Sequence, residues 1–262
     1  MSESQKAVIQ SECEVVSREE VAEGIFRLKL HAAEIAQRSA PGQFVNIRCG
    51  EGCLPLLRRP FSISRVDGDA IELIFNVIGH GTRMMSSKRL GDTLDVLGPL
   101  GSPFDTNGSF QKAVLVGGGL GVAPFPFLTA ALAGSNKQIL TLIGARNKRQ
   151  VTDQFLVNVR VATDDGSMGL KGTVVDLLKT ELQNNSERAM KVFGCGPTAM
   201  LKALSALAAA EGFDCELSLE GDMACGMGIC QGCPVERTDG KKKYALVCTD
   251  GPTFNSKDVI LR

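Results

Sequence analysis

Hydrophobic positions change their period twice along the chain, and each change marks a different architecture. From about residue 8 to 105 apolar and polar residues alternate in short runs, as in 24–30 (GIFRLKL), 43–47 (QFVNI) and 71–77 (IELIFNV). A period of two is the mark of half-buried strands. Pro41-Gly42, Asp67-Gly68 and Gly91-Asp92 supply turns between them. Strands at this spacing predict a small antiparallel β-barrel or sandwich, with a helix over 83–88. Beyond residue 106 the apolar runs become continuous and alternate with helical stretches. The pattern predicts a buried strand running into a glycine loop over 113–124, strands at 138–143, 157–163 and 190–193, and helices at 126–133, 173–182 and 199–211. That alternation predicts a parallel α/β sheet covered on both faces. A second change follows residue 213, where cysteine and glycine replace long apolar runs. The predicted division is 1–105, 106–213 and 214–262.

The third segment carries the most specific chemistry. Cys225, Cys230 and Cys233 stand in a C-x4-C-x2-C pattern, followed after fourteen residues by Cys248. This is the plant-type ligand spacing for a [2Fe-2S] cluster held by four thiolates. Gly226, Gly228 and Gly232 suit a wrapping loop, which needs positive φ and close backbone approach. Such a loop also aims backbone N–H groups at sulfur, which helps set the potential. Zinc usually takes Cys pairs two to four residues apart, so a structural zinc site fits less well, and buried inert thiols are the remaining alternative. The gap to Cys248 is shorter than a plant ferredoxin requires.

Composition narrows the class. Lys+Arg and Asp+Glu balance at 29 each among 262 residues, which argues against a nucleic-acid or membrane-surface partner. The N-terminus opens polar and has no apolar signal core, and apolar stretches such as 203–210 are too short to span a bilayer. Nine cysteines therefore read as reduced thiols and thiolate ligands in a cytoplasmic protein. Cys13, Cys49, Cys53 and Cys215 are expected to be small core residues. Lys241, Lys242 and Lys243 read as a solvated hairpin tip.

Two segments of the barrel are suited to a diphosphate. Arg58, Arg59, Pro60, Phe61 and Ser62 place guanidinium groups beside a hydroxyl, and a guanidinium grips two oxygens at once. About twenty residues on, Phe75, Asn76, Val77 and Ile78 lead to Gly81 and Thr82. A Gly-Thr at a helix start offers backbone donors and a hydroxyl. In the α/β segment, Gly117, Gly118, Gly119 and Gly121 form a strand–loop–helix turn that places phosphate on helix N-terminal amides. Val122 stands where G-x-G-x-x-G requires its third glycine, so an ordinary tight turn is the alternative. Asp164 and Asp165 end a predicted strand and can bind ribose hydroxyls while repelling a 2′-phosphate. Arg146, Lys148 and Arg149 could instead receive that phosphate.

These motifs carry a resemblance. Arg59-Pro60-Phe61-Ser62 matches the R-x-[YF]-[ST] motif of the ferredoxin reductase superfamily, and G-G-G-x-G-x-A-P at 117–124 matches its nicotinamide domain. The resemblance implies FAD bound through Arg59 and Ser62, with Pro60 and Phe61 packing beside the flavin. It implies the second flavin segment at Phe75–Ile78, Gly81 and Thr82. It sets Cys195, in Gly194-Cys-Gly-Pro197, beside the nicotinamide ring, with a small core residue as the alternative. Glu220, expected on the strand entering the cysteine loop, faces the flavin or is an ordinary strand-end carboxylate. Barrel, nicotinamide domain and cysteine module in this order resemble the electron-transfer subunit of type B, NAD-linked bacterial dihydroorotate dehydrogenase. The likeness runs through Gly98-Pro-Leu-Gly101, 162–167 and Asp250-Gly-Pro252. It implies a separate FMN-containing catalytic subunit as partner, two copies of each, serving pyrimidine biosynthesis. The same three modules serve NADH-dependent ferredoxin:NADP oxidoreductases, sulfide dehydrogenases and hydrogenases. A non-catalytic zinc-binding module is the reading from another class.

Overall fold

Alternation in the first third builds an antiparallel sheet whose two edges belong to neighbouring stretches of chain. Its elements are β1 (Ile9–Ala22), β2 (Ile25–His31), α1 (Ala33–Arg38), β3 (Phe44–Arg48), β4 (Arg59–Ser62), β5 (Arg65–Asp67), β6 (Ala70–Asn76), α2 (His80–Ser86) and β7 (Thr93–Leu100). The computed structural model describes residues 8–50, 52, 54–184, 189–238, 240 and 242–262; Cys53 and Lys241 lie outside these. The strand order is β4-β3-β7-β1-β2-β6-β5. Ile63 and Ser64 join the two edge strands: Ile63 N–H donates to the Gln43 carbonyl, and Ser64 N–H to that of Glu72. The sheet thereby closes into a barrel and removes its exposed edges. Leu28, Leu30, Val45, Ile47, Leu73, Phe75 and Val96 fill it.

The second third is the parallel α/β unit. It comprises β8 (Lys112–Gly118), α3 (Phe125–Ala133), β9 (Gln138–Ala145), β10 (Val159–Thr163), β11 (Leu170–Lys171), α4 (Val174–Asn184), β12 (Met190–Cys195), α5 (Thr198–Glu211) and β13 (Asp214–Ser218). In the last third, β14 (Pro234–Arg237) and β15 (Tyr244–Leu246) form a hairpin, β16 (Thr253–Asn255) follows, and β17 (Val259–Ile260) pairs with β14. The α/β sheet runs β11-β10-β9-β8-β12-β13-β16, parallel except for β16, which lies antiparallel on β13. The expected division at 213/214 therefore falls inside one sheet. Cys233, Ala245, Val247, Cys248 and Phe254 share a single core with Val114, Val116, Leu204 and Leu217. The cysteine module is built onto the α/β unit.

Two elements are displaced from their predicted bounds for local reasons. The helix expected at 83–88 spans His80–Ser86, because the Thr82 hydroxyl accepts the N–H groups of Ile78 and Gly79 at 3.0 and 3.1 Å and starts the helix earlier. The strand expected from residue 157 begins at Val159, because Phe155 and Asn158 take positive φ values of 62° and 49°. That strained loop has a function in the architecture. The Phe155 ring lies 5.2 Å from the Arg27 guanidinium and 4.4 Å from that of Arg65, both on the barrel. Gln154 accepts from Arg27 at 2.5 Å, so the loop straps the α/β unit to the barrel.

A buried charge cluster ties the same parts together underneath. Lys191, whose side chain is 7% exposed, lies 3.1 Å from Glu216, 3.4 Å from Asp105 and 3.9 Å from Asp214. Asp105 comes from the segment leaving the barrel, and its N–H donates to Glu216. Burial, the largest influence on Glu216, raises its carboxyl above the usual range despite Lys191. A carboxyl raised by folding loses stability as pH climbs through its folded value. Lys191→Met leaves Glu216 without its cation and should cost about 3–5 kcal/mol. Urea unfolding should show the loss largest at neutral pH and smaller at acid pH, where a carboxyl raised by burial is protonated. Glu216→Gln in the same chain should recover much of it; an unchanged midpoint in Lys191→Met would show the cluster to be inert.

Candidate functional site

The barrel presents β4 as one wall. Of the two adjacent arginines, Arg58 is committed to the scaffold, donating to the Asp95 carboxylate at 2.6 Å and to the Asp95 carbonyl at 3.0 Å. Among the described residues, Arg59 donates only to neighbouring backbone carbonyls, those of Leu57 and Arg58. Among those residues its guanidinium has no carboxylate partner and is able to take an anion. Gly81 packs next to it: a Cβ there would lie 3.5 Å from Arg59 Cγ and 3.2 Å from Cys49 Sγ. The two diphosphate-type segments thus come together, as their chemistry requires. The alternation along 75–78 sorts the remaining residues. Phe75 points into the barrel, buried against Phe26 and Phe61, so it supports the site from behind rather than lining it. Val77 also packs on the barrel core, while Asn76 and Ile78 line a cavity on the outer side. Thr82 spends its hydroxyl on the helix start, so its contribution is the shape of the turn.

That cavity, about 670 Å³, runs along the carboxyl ends of the parallel strands, where open α/β sheets bind ligands. Gly118, Gly119 and Gly121 line it with Arg146, Asp164 and Gln150. Each glycine answers a separate need. Gly119 has φ +56°, a Cβ on Gly118 would meet Met200 at 2.5 Å, and one on Gly121 would fall 2.1 Å from the Cys195 carbonyl oxygen. Gly117 lies behind, against Val122 and Phe125. The adjacent acids separate. Asp164 lines the cavity, whereas Asp165 is held within its own turn by the Ser167 hydroxyl and by the Ser167 N–H, which donates at 2.9 Å, and these bonds keep its carboxyl below the usual range. The basic turn separates too: Arg146 reaches the cavity, while Arg149 pairs with Glu23 at 3.2 Å.

Between barrel and sheet lies a smaller cavity of about 240 Å³. Pro60, Phe61 and Ser62 line it from the barrel; Leu120, Cys195, Ser218 and Glu220 line it from the α/β unit. Cys195 ends β12 beside Gly117 and Ser218, its neighbours in register. Burial, then the charge of Glu220, pushes its thiol up to about 12; it is a neutral wall, not a nucleophile. Glu220 is not on a strand, since β13 ends at Ser218. It sits in the following loop, where it borders this cavity, the 670 Å³ cavity and a third of about 350 Å³. Crowding by those walls desolvates its carboxyl and raises it. Ser218 and Leu120 escaped the sequence reading; the signal for Ser218 was its place at the carboxyl end of a parallel strand.

The cysteine loop lies beside this junction. Its four thiols sort into two pairs. Cys225 Sγ accepts N–H groups from Met227 at 3.5 Å and Cys230 at 3.4 Å, and Cys233 Sγ accepts from Cys248 at 3.4 Å. Burial opposes ionisation of Cys225, but the N–H donors of Cys230 and Met227 outweigh it and bring the thiol down to about 6. Gly226 and Gly228 have positive φ. Gly232 does not; Gln231, at φ 57°, makes that turn instead. Two thiol pairs with backbone donors suit a binuclear iron–sulfur cluster, which takes two thiolates on each iron. Among the described residues, no three His, Cys, Asp or Glu side chains group around a single ion.

Residues 220–260 match the family model of the iron-sulfur cluster binding domain of dihydroorotate dehydrogenase B. The electron transfer subunit of dihydroorotate dehydrogenase B (NAD(+)) from Desulforamulus reducens is 39% identical over 249 residues, covering 92% of this chain and 94% of that protein. The same subunit from Fusobacterium nucleatum is 36% identical over 256 residues, covering 95% and 97%. The chain belongs to this electron transfer subunit family. A solved structure of an NADH-dependent reduced ferredoxin-NADP oxidoreductase, described for flavin-based electron bifurcation, aligns with a TM-score of 0.85 at 31% identity, over 96% of this chain and 90% of that one. The ferredoxin reductase of carbazole 1,9a-dioxygenase aligns with a TM-score of 0.67 at 21% identity, over 79% and 67%, and shares the fold. Among the described residues, no helix is long and apolar enough to cross a membrane.

In this member of the family the glycine loop and the end of β12 are pressed backbone to backbone. Gly121→Ala should therefore push the two segments apart, at an overpacking cost of about 1–3 kcal/mol. Thermal unfolding should register the loss, and NADH titration should show weakened binding. Wild-type behaviour in both would mean that the loop relaxes freely around an added methyl.

Proposed function

We propose that this chain is the electron-transfer subunit of a dihydroorotate dehydrogenase B. It accepts electrons from an FMN-containing catalytic subunit and delivers them to NAD+, in the cytoplasm, as part of pyrimidine biosynthesis. The single observation that carries the reading is the junction itself. The flavin-motif strand, the carboxyl ends of β8, β12 and β13, and the four-thiol loop meet around Glu220. With FAD and a [2Fe-2S] cluster bound, such a junction supplies one-electron and hydride chemistry side by side, because a flavin converts single electrons into hydride. Two copies of each subunit form the assembly this reading expects.

The residues have distinct duties in this reading. Arg59 grips the FAD pyrophosphate, with Ser62 and the Gly81–Thr82 turn completing the cradle. Pro60 and Phe61 wall the flavin, and Asn76 and Ile78 flank it. Gly118, Gly119 and Gly121 let the NAD pyrophosphate approach backbone amides. Cys195 and Glu220 border the place of hydride transfer; hydride transfer needs no general base, so neither has to move a proton. Cys225, Cys230, Cys233 and Cys248 ligate the cluster. The same architecture serving another complex is not favoured, since relatives at 36–39% identity over more than nine-tenths of the chain carry the dihydroorotate dehydrogenase B name.

The anaerobically purified chain should be brown and hold FAD with about two iron atoms. It should oxidise NADH with artificial acceptors and turn over dihydroorotate only when the FMN subunit is added. Cys230→Ser should lose iron yet keep FAD. Arg59→Ala should weaken FAD by about 1.5–3 kcal/mol, roughly tenfold to a hundredfold. A colourless, zinc-containing preparation would sink the reading.

Nucleotide preference follows from the adenosine end of the 670 Å³ cavity. Asp164 offers a carboxylate to ribose hydroxyls there, and of the three basic residues only Arg146 reaches the same wall. With Arg149 held by Glu23, little positive charge is left for a 2′-phosphate. Steady-state kinetics should give a higher kcat/KM for NADH than for NADPH, and Asp164→Asn should narrow that ratio. A preference for NADPH would show that Arg146 governs the site.

A further inference from the structure

Asn46, in the middle of β3, is fully buried, yet neither its Nδ2 nor its Oδ1 has a hydrogen-bond partner among the described residues. Leaving such a group unsatisfied costs about 1–3 kcal/mol, so an orphaned carboxamide in a well-packed strand marks the place of a partner. Its surroundings identify the partner's chemistry. Val45 and Ile47 point into the barrel, so Phe44 and Asn46 point outward, toward the other two parts of the chain. Phe44 lines the 240 Å³ cavity, and Pro60, the cross-strand neighbour of Asn46, lines it as well. On its other side lies the cysteine loop. A Cβ on Gly226, at φ +75°, would fall 2.7 Å from Asn46 Nδ2. Glycine at 226 therefore does more than permit the turn after Cys225: it leaves the room that the carboxamide occupies. The strand beneath is held still by Arg58, which donates to the Asn46 carbonyl at 3.4 Å and clamps Asp95 at 2.6 Å.

We propose that Asn46 is a positioning residue for electron transfer, donating its Nδ2–H to a sulfur at the Cys225 end of the [2Fe-2S] cluster. This rests on the cluster assignment above. Nitrogen donors to sulfur draw charge away from iron and stabilise the reduced cluster, raising its potential. Backbone N–H groups of Met227 and Cys230 serve the Cys225 thiol from within the loop. Asn46 adds a donor from the opposite side, on the strand next to the flavin motif. One side chain thereby couples the potential of the cluster to the flavin-binding sheet.

The test is redox titration of the purified holo-chain, following the cluster by electron paramagnetic resonance and FAD by absorbance. Asn46→Leu and Asn46→Ala should keep FAD at an unchanged potential and shift the cluster to a more negative one. The expected size is about tenfold in the oxidised-to-reduced ratio at a fixed poise, which is ~59 mV for a one-electron couple. A variant with full iron and an unmoved cluster potential overturns the proposal, as does a shift confined to FAD. Should both variants shed iron while keeping FAD, Asn46→Gln, which retains a donor, decides: restored iron supports the proposal and continued loss overturns it. The two readings fail differently. A wild-type chain without iron–sulfur signals defeats the cluster assignment; a cluster indifferent to residue 46 defeats this inference alone.

Discussion

Close backbone approach is the constraint on which this molecule depends. Three cofactor-type segments have to end within one junction, and side chains at the contacts would hold them apart. Glycine removes that spacing at each seam. Gly121 admits the Cys195 carbonyl, Gly226 admits Asn46, and Gly101, at φ +77°, admits Pro252, which a Cβ would meet at 2.5 Å. The first seam joins glycine loop to strand end, the second cysteine loop to barrel, the third barrel to the returning C-terminal segment. Electron transfer gains from such compression because short, dry, fixed separations need no side chain to move.

Compression alone would leave the parts free to slide, and charge supplies the restraint. Lys191 collects carboxylates from the barrel exit, β13 and its start, so the lower edge of the sheet is pinned to the barrel. On the other side the Phe155 strap binds Arg27 and Arg65. Cation–π contacts of this kind contribute about 0.5–2 kcal/mol each, enough to offset the left-handed backbone at Phe155, which costs about 1–3 kcal/mol. A strained residue tolerated for a contact between two units indicates that their relative placement matters. The shared core of the α/β unit and cysteine module serves the same end with apolar surface.

Much of this was legible from residues alone, and what was hidden is informative. Period-two alternation identified the barrel strands, and the same rule, applied along 75–78, separates inward Phe75 from outward Asn76. Spacing singled out the four thiols of the cysteine loop. Three-dimensional competition decided the rest. Asp165 and Thr82 look like ligands in sequence but satisfy their own turns, and local hydrogen bonds of Asp and Thr are strong rivals to any external group. Glu220 lies beyond its strand because β16 pairs only as far as Ser218. Asn46 was invisible, since a lone Asn in an alternating strand reads as solvent-facing until the cysteine loop is folded over it.

The two thiol pairs differ in exposure, and the difference gives the chain a direction. Cys230 is exposed, next to Ile229 at 77% exposure. Cys233 and Cys248 are buried in the core that continues through Leu219 to the wall behind Glu220. One pair therefore reaches the surface, where a partner subunit can approach, and the other faces inward. A low-dielectric interior disfavours extra charge, so an electron arriving on the surface side is not stabilised by burial further in. Donors fixed to the sulfurs have to counter that penalty, and they come from backbone N–H groups in the loop and from Asn46 on β3, the strand next to the flavin motif. The apolar burial that brings these segments together thus sets a penalty that the nitrogen donors at the sulfurs offset.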